Sequence, residues 1–581
     1  MIKRFIYLFV FLSFISAFEL ISQVEHVPIA NPIYDFLVRA ENKGYMKNMS
    51  LSSLPLQKKE IINVLIELRK NIESLSNQDK ETLYKFETEF EVYYYNQSTE
   101  SYYDNKTIEN NALYPGNKGA DLLINRTVVF YSDKDTNQIF FDRLFSNDEK
   151  YFYHYQDSNH KVIVRPLGKI DFNYRKGDSS SNALMAHGGF RLNGTLSKKL
   201  GYMLQVTNGS LLGGDRLLAL QDPILRQNIK FNNLSSDVDI TESHLRYQDD
   251  WFYAYVGRES RLLGAGLDQR IFISNTSPAS DGLSLGAKFK KFEYRFSHFS
   301  LLALKSDTLR VGTGFAFEIP SKYYSMHRFS FRPDWGELSF WEGVIYSERS
   351  PELAYLNPLS FLKSVEHALR DRDNSIMGLD ATIRPLDNWQ IKGSWLLDDI
   401  IISEIGKGYW SNKTAWNIAT TYSFQAPIDL GFEYSRVEPY TYSHFNVQNS
   451  ITNDGLMFGS NIKPNSDRFL LKTNFWIGER YPLFINLSYT RHGRNEVDEN
   501  GNLIRNVGGD PLKVQNWVNG DSYRVSFLDG DLSKVLRIDL GGAWEPVRHY
   551  NLHLRFYYDN EMGSNKFSDY GIRFTFRFED F

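Results

Sequence analysis

The sequence predicts an all-β membrane barrel, an antiparallel transmembrane barrel of about 18 strands preceded by a small α-helical module. Three observations predict it. From about Val162 to the end of the chain, apolar and polar residues alternate with period two. The strands so defined are joined by short and long connections in regular turn. The faces opposite the apolar ones carry both signs of charge, in numbers too large for a dry core.

The start, "MIKRFIYLFVFLSFISAFELISQ", reads as a signal peptide over residues 1–23. Lys3 and Arg4 precede an apolar run over 5–18, and Ser16, Ala17 and Ser22 are small residues near a cleavage point. Mean hydropathy is −0.41, and no later stretch supplies the ~20 apolar residues of a spanning helix. The chain has no cysteine, which removes disulfides, thiol chemistry and lipid-modifiable thiols and suits an oxidising envelope.

Residues 24–95 read as a periplasmic helical module. In "ANPIYDFLVRAENKGY", Asn31 can cap, Pro32 suits the first turn, and Ile33, Phe36, Leu37 and Ala40 share a face that Gly44 ends. Ile61, Leu65, Leu68, Ile72 and Leu75 follow at helical spacing. Ser76 with Asp79 then signals a cap ahead of Leu83, Phe86 and Phe90. An Asn/Tyr-rich connector over 96–160 leads into the barrel, 161–581.

In the barrel, 376–384 turns at "PLDN" into 389–397, 414–424 turns at "QAP" into 428–437, 469–477 turns at "GERYP" into 483–490, and 535–544 turns at "EPVRHY" into 551–558. Long polar connections over 350–374, 398–412, 438–467, 491–523 and 559–569 separate these hairpins. Short turns at one rim and long loops at the other are the build of an outer-membrane barrel, and one strand with its joint takes ~20–25 residues, so about 16–20 strands fit. A sandwich would use Greek-key crossings and closer strand spacing. The inward set includes Asp171, Arg191, His244, Arg246, Lys288, Arg295, Asp380, Lys392, Glu433, Lys472, Arg537, Asp539, Arg555 and Arg573. The chain ends on "YGIRFTFRFEDF", whose regular alternation marks a wall strand closing against the first, with Phe581 as a terminal aromatic. This topology predicts a cell outer-membrane location, with module and C-terminus in the periplasm and the long loops extracellular.

The net charge of −4 provides no global basic field, so nucleic acid is not an expected partner. Catalysis is not indicated either. Asp398 and Asp399 in "LLDDII" point to opposite faces of a strand, and Glu366 with His367 lacks a second histidine at ligand spacing. Residues 257–266, "GRESRLLGAG", read as a strand end with a flexible turn, and no GxSxG elbow occurs. No catalytic residue, metal site or cofactor is expected. The sharper signal is "EYSRVEPYTYSH", which sets Tyr440 and Tyr442 beside Arg436, Glu438 and His444 at a strand end. Flat rings next to charged hydrogen-bonders can hold sugars; equally, the tyrosines can be an interfacial girdle pair. "RHGR", with Arg491, His492 and Arg494, reads as a polar rim or as part of the same glycan surface.

The segments "NPIYDFLVRAENKGY", "LPLQKKEI", "GRESRLLGAGLDQRIFIS", "YLNPLSF", "GLDATIRP", "WLLDDI", "EYSRVEPYTYSH" and "SYTRHGR" follow one another along nearly the whole mature chain. Together they resemble the Wzi family of outer-membrane capsule-assembly proteins, in its Bacteroidetes-type form. The resemblance implies an 18-stranded barrel with a periplasmic helical bundle, acting as a non-catalytic surface lectin that helps attach capsular polysaccharide. Expected partners are capsular or surface polysaccharide, outer-membrane lipid and the barrel-assembly machinery. A porin or solute channel of the same architecture is the alternative.

Overall fold

The computed structural model describes residues 23–92, 127–131, 145, 149–156, 159–222, 225, 231, 236–276, 279–304, 308–311, 314–317, 320–477, 481–563, 566–579 and 581. The signal-peptide expectation for 1–22 and most of the connector lie outside these residues.

Period-two alternation closes into an antiparallel barrel of 18 wall strands, running from Lys161–Lys176 to Phe567–Phe578. The terminal strand pairs with the first, from Tyr570↔Lys176 to Phe578↔Gly168, so its edge is covered. Below that seam, Glu149–Gln156 continues the edge of the first strand, from Tyr153↔Val164 to Gln156↔Lys161. Ile572 and Phe574 are exposed on the outside of the terminal strand, while Thr575 and Glu579 are buried inside. An apolar outer face with a polar interior makes this an outer-membrane barrel.

Turns at one end are short: 197–199, 249–251, 290–291, 332–335, 387–388, 424–427, 477–481 and 548–549. Two-residue turns require left-handed backbone, as at Asn388 with φ +64. At the other end, 215–236, 260–279, 303–320, 348–373, 400–412, 438–465 and 495–530 are long. The expected long connection over 559–569 is instead 562–566, because Tyr550–Glu561 and Phe567–Phe578 extend into it through the pairing Glu561↔Phe567.

Three helices build the module: α1 (Ile33–Asn42), α2 (Lys58–Lys70) and α3 (Asn77–Glu89). Asn31 Oδ1 accepts the Ile33 N–H at 2.9 Å, and Gly44, at φ +82, ends α1. The Ser76 hydroxyl accepts the Asp79 N–H at 3.1 Å. The second helix stops sooner than its spacing predicts, giving way to a 3₁₀ turn over Ile72–Ser74. Ile33, Phe36, Leu37, Ile61, Leu65, Leu83 and Phe86 form one core, which Trp476 of the barrel wall joins.

This module sits in the short-turn mouth of the barrel. Arg39 donates to Asp79 at 2.6 Å, to Asp429 at 3.0 Å and to the carbonyls of Phe424 and Ala426 at 2.8 and 3.1 Å. Lys392 pairs with Glu41 at 2.6 Å, Lys288 with Glu60 at 2.7 Å and Lys85 with Glu545 at 2.7 Å. Ser53–Leu54 of the module adds a strand to Leu262–Leu263 of an inward-folded loop. That loop continues upward: Phe272 stacks on Trp341 at 4.7 Å, and the Ser274 N–H donates to the Phe458 carbonyl at 2.9 Å. Many of the inward charges therefore meet protein partners. Glu433, for example, accepts the N–H groups of Leu267 and Gln269 at 2.7 and 3.0 Å.

Candidate functional site

At the long-loop end, register brings part of the expected set together. Arg436 lies opposite Asp467, Asp467 opposite Arg491 and Arg491 opposite Lys534, a row across four neighbouring strands. Directly opposed residues share a face of the sheet, so this row of charge lies just above the lipid-facing Phe432, Phe469 and Leu487. Arg491 grips Asp467 with two bonds of 2.9 and 2.5 Å. Arg436 pairs with Glu438 at 2.6 Å and lies 3.6 Å from the centre of the Phe527 ring. Arg494 pairs with Asp531 at 3.0 Å. His492 donates from Nε2 to the Gly509 carbonyl at 2.9 Å.

Tyr440 and Tyr442 are elsewhere. Both side chains are fully buried, so neither offers a ring face to a ligand. Both have positive φ, +61 and +73, a conformation costly for tyrosine unless its surroundings enforce it. Here they do. The Tyr440 N–H donates to the Gly508 carbonyl at 2.9 Å, and its hydroxyl donates to the Asn506 carbonyl at 3.1 Å. The Tyr442 N–H donates to Asp398 at 2.7 Å and its hydroxyl to Ile271 at 3.0 Å. Tyr442 thus pins the 438–465 loop onto the inward loop, and Tyr440 pins it to 495–530. Burial, with Lys413 nearby, lowers the His444 imidazole to about 4, so it is neutral near pH 7.

Exposed rings come instead from residues that the sequence pattern did not single out. Loops 400–412 and 495–530 interlock through Trp410 N–H to Tyr523 O at 3.2 Å, Val525 N–H to Gly408 O at 2.8 Å and the pair Arg524–Glu404 at 2.6 Å. On this platform Trp517 and Tyr523 are 62% and 51% exposed. Their segment, "NWVNGDSYR", mixes aromatics with amide and carboxylate side chains, and that composition was the available signal.

Histidine clustering was invisible to spacing. His26, His244 and Glu259 converge at the module–barrel contact, and Glu366 and His367 of the loop helix Leu362–Ala368 approach Asp371 just beyond it. In the first group both ring lone pairs are in use. His26 Nε2 accepts from Arg246 at 3.3 Å, and His244 Nε2 accepts the His26 N–H at 3.1 Å. His26 Nδ1 therefore carries a proton and donates it to Glu259 at 3.0 Å, while His244 Nδ1 lies 3.4 Å from the same carboxylate. That is a hydrogen-bonded clasp between module and wall.

No protein-family model matches this sequence, nor does any curated protein. Among solved structures it is similar to Wzi of Escherichia coli, an outer-membrane protein involved in group 1 capsule assembly and described as a carbohydrate-binding β-barrel. Identity is 12%, covering 94% of this chain and 98% of that one, with a TM-score of 0.47. It is also similar to OccAB4 of Acinetobacter baumannii, at 11% identity over 72% of this chain and 98% of that one, TM-score 0.42. The outer-membrane protein OpdK of Pseudomonas aeruginosa matches at 7% over 72% and 98%, TM-score 0.41. These are likenesses of barrel architecture and decide nothing between binding and transport.

Proposed function

We propose that this chain is a non-catalytic outer-membrane barrel that binds capsular or other surface polysaccharide and retains it at the cell surface. In this reading the module and C-terminus are periplasmic and the long loops extracellular. Lipid surrounds the wall, and the barrel-assembly machinery inserts it. The observation that carries the reading is a column of protein inside the barrel. The module, the 260–279 loop and the 438–465 loop meet in series from the short-turn mouth upward. A porin conducts through a continuous wet path, and here the free surface lies at the long-loop end. Trp517 and Tyr523 supply ring faces there, and Arg436, Glu438, Arg491 and Arg494 supply charged groups at the same end of the barrel. A ring contact is worth only ~0.5–1.5 kcal/mol, so retention draws on many contacts along a repeating polymer. The resemblance of the sequence segments to the Wzi family points the same way.

The test is a deletion strain complemented with the wild type or with Trp517→Ala plus Tyr523→Ala. The double variant should assemble normally and release polysaccharide into the medium. Full retention by the double variant would remove these rings from the site, and full retention by the deletion strain would remove the function. A solute-channel reading rests on a side chamber of ≈ 360 Å³ between α1 and the wall, lined by His553, Arg555, Arg573 and Arg577. Steady single-channel conductance of the wild type in planar bilayers would favour it.

A further inference from the structure

Halfway up the outside of the barrel wall lies a feature out of keeping with a lipid-facing surface. On strands Ser321–Phe331 and Gly336–Ser347, odd-numbered residues of the first and even-numbered residues of the second face outward. Phe329 and Leu338 are exposed accordingly. Higher up, the same outward rows carry Ser325, His327, Glu342 and Tyr346, all buried. His327 pairs with Glu342 at 2.8 Å. Glu342 stands six residues above Gly336. At ~3.4 Å per residue and a tilt of ~40°, that is about 15 Å into an apolar band ~25 Å tall. A carboxylate at that depth cannot face hydrocarbon.

It is covered by the 348–373 loop, which folds down along the outside of the wall. Glu342 accepts the Leu362 N–H at 3.1 Å, Ser325 donates to the Tyr355 carbonyl at 2.5 Å, and the Tyr294 hydroxyl donates to the Pro358 carbonyl. These bonds satisfy irregular backbone at membrane depth, which lipid could not do. Val344, Tyr346, Tyr355 and Leu362 seal the contact in a buried apolar cluster. Over 353–361 the opposite side of the loop is apolar too, with Leu353, Leu359 and Phe361 81%, 88% and 50% exposed, while the exposed charges of His367, Asp371 and Arg372 lie further along the loop. Beneath this ledge lies a groove of ≈ 1010 Å³, lined by outward rings and aliphatic chains including Phe292, Phe329, Leu379, Trp395 and Ile418. That exceeds most small-ligand pockets, at ~300–1,000 Å³. The outward-facing lining offers no charged group that would orient a soluble ligand.

We infer that the 353–362 stretch of this loop is embedded in the membrane as a ledge, and that the groove beneath it holds the acyl chains of a phospholipid from the short-turn leaflet. The leaflet follows from the geometry. The groove runs from Phe292 and Phe331, beside the short turns, up to the ledge past mid-membrane, about the depth of one leaflet. Lys290 and Lys291 immediately precede Phe292 and set the level of the head group. A polar loop would serve to cover a polar patch from water, but here it covers one from lipid and leaves a chain-sized gap below.

The chain has no cysteine, so single cysteines report depth directly. With the protein in phospholipid vesicles, Leu359→Cys should resist a membrane-impermeant maleimide until detergent is added, while Val518→Cys, 72% exposed on the 495–530 loop, labels at once. Equal labelling of both in sealed vesicles would overturn the ledge. Native mass spectrometry of wild type released from mild detergent should show one bound phospholipid. Ala381→Phe, which projects a ring into the groove from the lipid-facing side of its strand, should lose it. Leu379→Ala with Phe329→Ala, which removes groove walls without crowding the fold, should lose it as well. A wild type without the adduct, an adduct that survives Ala381→Phe, or a second copy of the chain or another protein in the groove would each overturn the acyl-chain site.

Discussion

Arg39→Ala should release the module from the barrel mouth. The Arg39 guanidinium is buried and spends its donors on Asp79, Asp429 and the carbonyls of the 424–427 turn. Truncation leaves Asp429 and two carbonyls without their cation, and leaves Asp79 with Lys43 alone, at 3.1 Å. Removing one partner of a buried pair costs about 3–5 kcal/mol, and at 1.4 kcal/mol per tenfold that is about 10² to 4 × 10³ in the equilibrium for undocking. Burial alone would raise the Asp79 carboxyl. The Arg39 fork and then Lys43 overcome it and hold Asp79 below its ordinary value. A depressed carboxylate stabilises above its unfolded pKa, so docking should weaken as pH falls below about 4. Native-state hydrogen exchange on the amides of α1 reads the effect, and Arg39→Ala should speed it by about 10² to 4 × 10³-fold. Arg39→Lys, which keeps the charge but loses the fork, should fall in between. An increase under about threefold in Arg39→Ala would mean that apolar contacts such as Phe36 against Trp476 hold the module, and the ion cluster does not.

Tyr440→Ala and Tyr442→Ala should each destabilise the folded barrel by about 3–5 kcal/mol, read as a lower temperature for the heat-induced gel shift. Unchanged melting with altered polysaccharide binding would refute the buried placement. His444, held to about 4 by burial, favours the folded state above its unfolded value of 6.5; that stability is lost as pH falls from there toward 4. His444→Asn should flatten the pH dependence of melting in that window, and an unchanged slope would count against it. Phe574→Arg, on the lipid face of the closing strand, should cost about 2–4 kcal/mol near mid-membrane and lower the inserted fraction. Normal insertion would show that this face does not meet lipid.

Period-two alternation is a local consequence of the pleat, so the sequence alone determined the wall, its lipid face and the closing role of residues 570–578. Helix caps are local too: Asn31, Gly44 and Ser76 announced α1 and α3, and only the break at Asn71 escaped, since Ile72 kept the apolar spacing. The glycan-site expectation went astray at Tyr440 and Tyr442 because a strand's outward row stops predicting exposure where the chain leaves the strand. Left-handed turns at both tyrosines redirect them inward onto loops 171 and 66 residues away in sequence. The clasp of His26 with His244 spans 218 residues, and the 348–373 loop buries Glu342 only because the wall brings Ser325, Glu342 and Tyr294 side by side. Such contacts depend on register and closure of the whole barrel. No local spacing encodes them, and the tertiary structure alone decided which rings face solvent, which charges are paired inside the barrel, and which loop folds against the outside of the wall.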